Sequence, residues 1–382
     1  MVLLALTVGC TAYEPPESAP LVRQRYVERL EESRSAGIDL GALSSDDLEV
    51  PFELDDAIRD QIVGVARSRR EATRVDEILG LIFERLDLEY ALTPTRNAVG
   101  TFQARQGNCL SFVNLFVGVA RNQGLNPFYV EVEDHQKWRH RDGAVVSQGH
   151  IVAGLHIDGL LRTFDFLPYR PKSYRQFAIL DDLEAVAHYY NNLGAEALLA
   201  DRNAEAEPLL RAAVALDPTF EKAINNLGVC LARLGRTDEA IDLYHRGLEI
   251  APDQVALLTN LAATYQRLGQ LDKAELLFEQ LAQQRDTSPF FFVYRGDLAL
   301  ARNQPAEALA EMTEALRRDS EVPEVHVGLA RAYLALGDLR KARHHLDRAL
   351  KLDATHDEAL ELVPLVQAGV PIERENKTGS GS

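Results

Sequence analysis

The chain has 382 residues, 46% of them hydrophobic, and a formal net charge of −17 at pH 7. That length predicts two or three domains. The acidic balance argues against nucleic acid as a partner, because nucleic-acid sites need a clustered basic surface. Three cysteines, Cys10, Cys109 and Cys230, are too few for a disulfide framework, so each needs its own explanation.

The first ten residues, MVLLALTVGC, form a short apolar run that ends at Gly9 and Cys10 and precedes a polar, proline-rich stretch. This arrangement resembles the cleavage box of bacterial lipoproteins, in which the cysteine carries lipid and becomes the mature N-terminus. The resemblance implies a periplasm-facing protein of the bacterial cell envelope, held to a membrane only through lipid on Cys10. The alternative is a cytoplasmic protein without lipid. Residues 1–20 are accordingly predicted to be a signal and tether.

Helical spacing of apolar residues predicts the elements before and around Cys109. A charged helix is predicted at 21–35, and one or two amphipathic helices at 55–90. A further helix is predicted from Cys109 to about Asn122, with Gly124 as its stop signal.

Alternating residues after this helix predict strands. NPFYVEVE is typical of a single strand, and HQKWRHRDGAVVSQG of a polar hairpin or loop that turns at RDG. HIVAGLHIDG and LRTFDFLP then predict a second hairpin, which turns at Asp158-Gly159.

From residue 187 the sequence repeats with a period of 34 residues, starting at 187, 221, 255, 289 and 323. Small residues recur at the eighth and twentieth positions, which allows two antiparallel helices to approach closely. The eighth position holds Gly194, Gly228, Ala262, Gly296 and Ala330, and the twentieth holds Ala206, Ala240, Ala274, Ala308 and Ala342. Large residues at the twenty-fourth position (Tyr244, Phe278 and Met312) are predicted to fill the space between neighbours.

This register resembles the tetratricopeptide repeat over residues 187–356. The resemblance implies an all-α solenoid whose concave face binds a protein partner. The positions that would face the partner include Asn191, Asn225, Arg233, Arg267 and Arg331. A capping helix is predicted to follow, with a loose tail at 370–382. Cys230 falls inside a repeat helix, where a buried, inert thiol is expected.

Cys109 directly follows Gly107-Asn108 and heads an apolar helix, which is a position that favours a nucleophilic thiolate. Such a thiol also needs an imidazole to take its proton and a carboxylate to orient that imidazole. His150 opens one strand of the second hairpin, and Asp165 lies in the other. A turn at Asp158-Gly159 places His150 opposite about residue 166, so Asp165 is expected beside it.

The stretches ARQGNCLSFVNLFVGVARNQGLNPFYVEV and GHIVAGLHIDGLLRTFDF resemble the transglutaminase-like superfamily, which has a papain-like fold. The resemblance covers roughly residues 55–175 and implies an α+β domain of helices and antiparallel sheet. It also implies that Cys109 is the nucleophile, His150 the general base and acid, and Asp165 the orienting group. The oxyanion donors would be the backbone N–H of Cys109 and Gln103, which lies six residues upstream.

Other residues in the same region offer alternatives. His156 shares a face with His150 along the strand and is the rival candidate for the base. The spacings of His135, His140, His150 and His156 match no common zinc pattern, so neither a metal site nor any cofactor is predicted. Trp138 is a candidate for lining the substrate cleft or for packing.

The sequence therefore predicts a transglutaminase-like domain at 21–186 and a solenoid with its capping helix at 187–369. The predicted function is a cysteine hydrolase or acyltransferase that acts on amide bonds of a peptide or protein, with hydrolysis favoured over crosslinking. The alternative is a catalytically silent peptide-binding domain in a scaffold lipoprotein.

Overall fold

The computed structural model describes residues 5–6, 17–66, 68–133, 139–141, 144–146, 150–167, 176–283 and 289–368. The chain divides into two compact units, one that ends at Ala251 and one that begins at Pro252. This division falls two repeats later than the boundary at 186/187 that the sequence predicts. Helices and strands of the predicted N-terminal domain share the first unit with the first two repeats.

Five helices lie between β1 (Ala5–Leu6) and β4 (Phe128–Glu133) of the main sheet in the described part of the chain. They are α1 (Ala19–Ser35), α2 (Asp56–Ile62), α3 (Glu71–Gly80), α4 (Ala98–Ala104) and α5 (Cys109–Asn122). Four of them fall in the predicted helical segments, whereas α4 was not predicted. A 3-10 turn at Ser45–Asp47 precedes α2, and a π-helical turn at Leu81–Arg85 continues α3. Helix α1 buries Val22, Tyr26 and Leu30, which are spaced four residues apart on one face.

Nine short strands are present in the described part of the chain. They are β1 (Ala5–Leu6), β2 (Glu89–Tyr90), β3 (Gln106–Gly107), β4 (Phe128–Glu133), β5 (Arg139–Arg141), β6 (Ala144–Val146), β7 (His150–Ile157), β8 (Leu160–Phe164) and β9 (Gln176–Leu180). The main sheet is antiparallel, with the strand order β1-β8-β7-β4-β9. Strands β2 and β3 form a parallel pair, and β5 and β6 an antiparallel hairpin.

Helix α5 packs against β7 and supplies much of the core of the first unit. All its residues from Leu110 to Ala120 are buried. Phe116 lies 5.2 Å from Phe164 of β8, measured between ring centroids. Both ends of the helix agree with the prediction, since it begins at Cys109 and ends before Gly124, whose φ is +72°.

The residues described from 182 onward form an all-helical array. Its helices are α6 (Asp182–Leu199), α7 (Asn203–Leu216), α8 (Glu221–Arg233), α9 (Thr237–Ile250), α10 (Val255–Arg267), α11 (Leu271–Gln283), α12 (Pro289–Ala301), α13 (Pro305–Arg318), α14 (Pro323–Ala335), α15 (Leu339–Leu352) and α16 (Asp357–Ala368). The first helices of repeats two to five begin at the predicted residues 221, 255, 289 and 323. Helix α6 begins five residues before the predicted start, and α16 occupies the predicted capping position.

The turn at the fifteenth position of each repeat is left-handed in all five repeats. Gly235, Gly269 and Gly337 have φ between +71° and +81°, and Asp201 and Asn303 have φ of +58° and +61°. Only glycine, asparagine and aspartate adopt this conformation readily, which explains the residues found there.

The glycines at the eighth position make room for the large side chain at the twenty-fourth position of the same repeat. A Cβ atom on Gly228 would lie 2.4 Å from Tyr244 Cε1, and one on Gly194 would lie 2.5 Å from Leu210 Cγ. Met312 fills the same space beside Gly296 and also reaches Gly328 of the next repeat. The large residues thus pack within repeats as well as between them.

Several sequence predictions fall on residues outside the described ranges. These are Cys10, Asp142-Gly143 of the RDG turn, Trp138, His135 and the tail at 370–382. Among the helices that the structure describes, none combines the length and hydrophobicity that a membrane span requires. The backbone of Ala5–Leu6 pairs with Arg162 and Leu161 of β8, and a chain processed at Cys10 would lack this edge strand.

Gly228→Ala is expected to lower the free energy of unfolding by about 1–3 kcal/mol, because the new methyl group overpacks the gap against Tyr244. Urea denaturation of the full chain measures this change. In a Tyr244→Ala background the same substitution is expected to cost less than about 1 kcal/mol, since the ring that it meets is gone. An equal cost in both backgrounds would contradict this packing.

Candidate active site

Asn108 fixes the start of helix α5 and so the position of Cys109. Its Oδ1 accepts hydrogen bonds from the backbone N–H of Ser111 at 3.0 Å and from the Ser111 hydroxyl at 2.9 Å. This is a standard N-cap, which satisfies a backbone N–H that the helix itself leaves unpaired. Gly107 is needed just before it, because a Cβ there would lie 2.5 Å from Ser111 Cβ.

The side-chain nitrogen of Asn108 begins a series of hydrogen bonds that ends at helix α6. Its Nδ2 donates to Thr95 Oγ1 at 2.7 Å. Thr95 donates in turn to the Glu196 carboxylate, from its N–H at 2.9 Å and from its hydroxyl at 2.7 Å. Glu196 lies near the end of α6, so the residue before the candidate nucleophile is tied to the first repeat.

His150 and Asp165 come together through the hairpin of β7 and β8. The turn lies at Asp158-Gly159, as predicted, with φ of +52° and +77°. The paired residues of the two strands run from Ile157 and Leu160 to Ala153 and Phe164, and Asp165 directly follows the last pair. Continued along the same register, Leu167 rather than residue 166 would lie opposite His150, and Asp165 would share the face of His150.

His150 lies between Asp165 and Cys109. Its Nε2 is 3.2 Å from Asp165 Oδ1, and the two side chains are 16% and 11% exposed. Asp165 Oδ1 also accepts a hydrogen bond from the backbone N–H of Leu167 at 3.1 Å, which helps to fix the carboxylate. Cys109 is partly exposed and hydrogen-bonds to the imidazole.

The electrostatic environment of His150 favours the imidazolium ion. Burial lowers the pKa of His150, but hydrogen bonds and charges from Asp165 and Cys109 outweigh this effect and raise the pKa to about 10. A protonated His150 therefore lies beside the sulfur of Cys109 at neutral pH. This is the arrangement that a thiolate nucleophile needs.

The rival base, His156, lies elsewhere on the sheet. It is six residues along β7 from His150, about 20 Å at the usual strand rise. Its exposed ring packs 5.3 Å from that of Phe128, between centroids. Gln103, the predicted oxyanion donor, is an exposed residue of α4. Within the described ranges, no group of three or more His, Cys, Asp or Glu side chains is placed to hold a metal ion.

Cys230 is fully buried in α8, and its Sγ donates to the Asn203 carbonyl at 3.3 Å. Burial raises the pKa of this thiol to about 12. Cys230 is therefore unreactive near neutral pH, and Cys109 is the accessible one of the two.

The predicted partner-binding residues differ widely in exposure. Asn191 and Asn225 are fully buried, and Asn225 Nδ2 donates to the Val145 carbonyl of β6 at 2.9 Å. Arg233 donates to the Leu198 carbonyl, and Arg331 forms ion pairs with carboxylates of the second unit. Only Arg267 of the five has an exposed side chain.

An aromatic cavity beside Asp165 was not predicted from the sequence. It has a volume of about 570 Å³, and its lining includes Phe83, Tyr90, Phe112 and the pair that flanks Asp165, Phe164 and Phe166. The only sign of this cavity in the local sequence is the FDF pattern at the end of β8. The other three aromatic side chains come from the π-helical turn, β2 and α5.

Comparisons with known proteins identify the C-terminal repeats. Residues 220–285, 259–323 and 299–363 each match a tetratricopeptide repeat family. The C-terminal region is therefore a tetratricopeptide repeat array, as the 34-residue period predicts. Comparison with curated protein sequences found no match.

Several solved structures, among them tetratricopeptide repeat proteins, are similar to about half of the chain. A thermophilic repeat protein of Thermus thermophilus, TTC0263, is 20% identical, with a TM-score of 0.44, over 48% of this chain and 98% of its own. PilF of Pseudomonas aeruginosa is 20% identical, with a TM-score of 0.40, over 48% of this chain and 83% of its own. A repeat protein of Parabacteroides merdae is 16% identical, with a TM-score of 0.44, over 47% of this chain and 71% of its own.

Asn108→Asp is expected to lower the free energy of unfolding by about 1–3 kcal/mol. Aspartate caps a helix as well as asparagine does, but its carboxylate cannot donate to Thr95 and would lie close to Glu196. The control is Asp55→Asn at the cap of α2, which is expected to change stability by less than about 0.5 kcal/mol. Thermal or urea denaturation of both variants checks this, and equal costs would contradict the buried network. Adding Glu196→Gln to Asn108→Asp should recover part of the loss.

Proposed function

We propose that the first unit is a transglutaminase-like cysteine hydrolase that cleaves amide bonds of a peptide or protein. The observation that carries this proposal is the position of His150, held between the Asp165 carboxylate and the thiol at the first residue of α5. The order Cys, His, Asp supports the resemblance to that superfamily, as do their places at the start of a helix, at the start of β7 and directly after the neighbouring strand β8.

The proposed reaction has two steps. The Cys109 thiolate attacks the amide carbonyl carbon, the C–N bond breaks, and the His150 imidazolium gives its proton to the departing amine. A thioester to Cys109 and a neutral imidazole remain. His150 then takes a proton from water as it attacks the thioester, which releases a carboxylic acid product and restores the thiolate and the imidazolium.

The charges around His150 suit both steps. With a free thiolate, Cys109 and Asp165 together keep His150 protonated and ready to act as an acid. In the thioester the sulfur is uncharged, so one of the two influences that raise the pKa of His150 is lost. The neutral imidazole that the second step requires becomes more accessible at that stage.

The tetratricopeptide repeats support a role in protein interaction. We assign partner binding to the concave face of the repeats in the second unit, where Arg267 is exposed. The first two repeats have a different role, because Asn191 and Asn225 are buried and bonded within the first unit.

The rate of Cys109 alkylation by iodoacetamide between pH 4 and 9 tests the proposal. The experiment uses the full chain with Cys10→Ser and Cys230→Ala, so that one thiol remains. Because a thiolate beside an imidazolium reacts at a pH well below that at which an ordinary thiol ionises, the proposal predicts that the rate falls less than about fivefold between pH 8.5 and pH 6. An ordinary thiol, with a pKa of about 8.5, would slow by more than about 100-fold over the same range.

His150→Gln is expected to slow the reaction at pH 6 at least about tenfold, because the cation beside the sulfur is lost. His156→Gln is the matched control, since it removes an imidazole from the same strand far from the site, and its profile should equal that of the parent. A rate that depends steeply on pH and is unchanged by His150→Gln would contradict the hydrolase proposal. It would favour the alternative of a catalytically silent peptide-binding domain.

A further inference from the structure

The cavity beside Asp165 has a lining that is both aromatic and acidic. Five aromatic rings and the carboxylates of Asp76, Glu84 and Asp165 line it, and none of the lining residues that the structure describes is basic. In the part of the chain that the structure describes, Asp76 and Glu84 are exposed and take part in no ion pair.

The rings form a connected surface rather than scattered contacts. Phe83 lies 5.7 Å from Phe166 and 6.0 Å from Phe112, and Phe112 lies 6.2 Å from Phe166, all between ring centroids. Phe83 is 40% exposed although it is a large apolar side chain, so the surface is open to a ligand. Aromatic faces attract cations, and nearby carboxylates strengthen that attraction.

The cavity adjoins the candidate triad, because some of its lining residues belong to the triad or lie close to Cys109 along the chain. Asp165 belongs to both, and Phe112 lies one helical turn after Cys109 on α5. Tyr90 pairs with Gly107, two residues before the cysteine. A chain bound in the cavity would therefore extend toward the thiol from the adjoining surface.

We infer that this cavity binds the part of the substrate next to the cleaved bond, and that it selects an aromatic or large aliphatic residue beside lysine or arginine. The inference rests on the proposed function, since it names the occupant as the substrate of Cys109. The apolar body of the ligand packs on the rings, and its cation lies near Asp76 and Glu84. Repulsion from the same carboxylates excludes acidic peptides.

The test is calorimetric titration of the full chain carrying Cys109→Ser, which binds without reacting. The probes are acetyl-Lys-Trp-Lys-amide, acetyl-Glu-Trp-Glu-amide and acetyl-Lys-Ser-Lys-amide. The first is expected to bind at least about tenfold more tightly than either of the others. Phe83→Ser and Glu84→Lys should each weaken its binding at least about fivefold, and Leu92→Ser, an exposed apolar control outside the lining, should leave it unchanged.

Three results would each overturn the inference. They are equal binding of the three peptides, tighter binding of the acidic peptide, and an affinity for the first peptide that Phe83→Ser and Glu84→Lys leave unchanged. Self-association of the chain that Phe83→Ser abolishes would assign the cavity to a second copy and also overturn it. The titration does not use the reactivity of Cys109, so its failure is distinguishable from failure of the hydrolase proposal. A flat alkylation profile with no peptide preference would keep the enzyme and reject this specificity.

Discussion

The ion pair between Arg121 and Asp182 joins the two helices on which the first unit is built. Arg121 lies in the last turn of α5 and Asp182 begins α6, and their side chains meet in a bidentate contact at 2.7 and 2.8 Å. The guanidinium also lies 4.4 Å from the centroid of the Phe52 ring and donates to the Pro127 carbonyl. Removing one partner of such a largely buried pair typically costs about 3–5 kcal/mol, because the other charge is left without compensation.

The opposite ends of the same two helices are joined by neutral and charged hydrogen bonds. Asn108 at the start of α5 reaches Glu196 near the end of α6 through Thr95. Helix α5 is thus fixed at both ends to the first helix of the repeat array. The position of Cys109 therefore depends on repeat one, which belongs to the same compact unit.

The periodic features of this fold were predictable from the sequence. The 34-residue period located the helix starts, and the Asp158-Gly159 turn brought His150 and Asp165 to one face of a hairpin. Local patterns of this kind are fixed by backbone conformation and by burial on one side of an element. Cys109 at a helix start belongs to the same class, because Gly107-Asn108 is a local capping signal.

The features that depended on distant packing were not predictable. Asn225 has the sequence position of a partner-binding residue, yet it is buried and donates to the Val145 carbonyl, 80 residues away. Lys222 of α8 similarly pairs with Glu131 of β4, and nothing in either local sequence marks the other. The aromatic cavity draws on α3, its π-helical extension, β2, α5 and the end of β8, so no single segment reveals it.

Asp165 connects this cavity to the chemistry, because one carboxylate faces both a candidate ligand and His150. Asp76 and Glu84 are exposed and take part in no ion pair among the described residues, whereas Asp165 Oδ1 lies 3.2 Å from His150 Nε2. The cation of the proposed ligand therefore lies near Asp76 and Glu84, and Asp165 keeps its role in raising the pKa of His150. The acidic lining thus divides into carboxylates that select the ligand and one carboxylate that serves the chemistry.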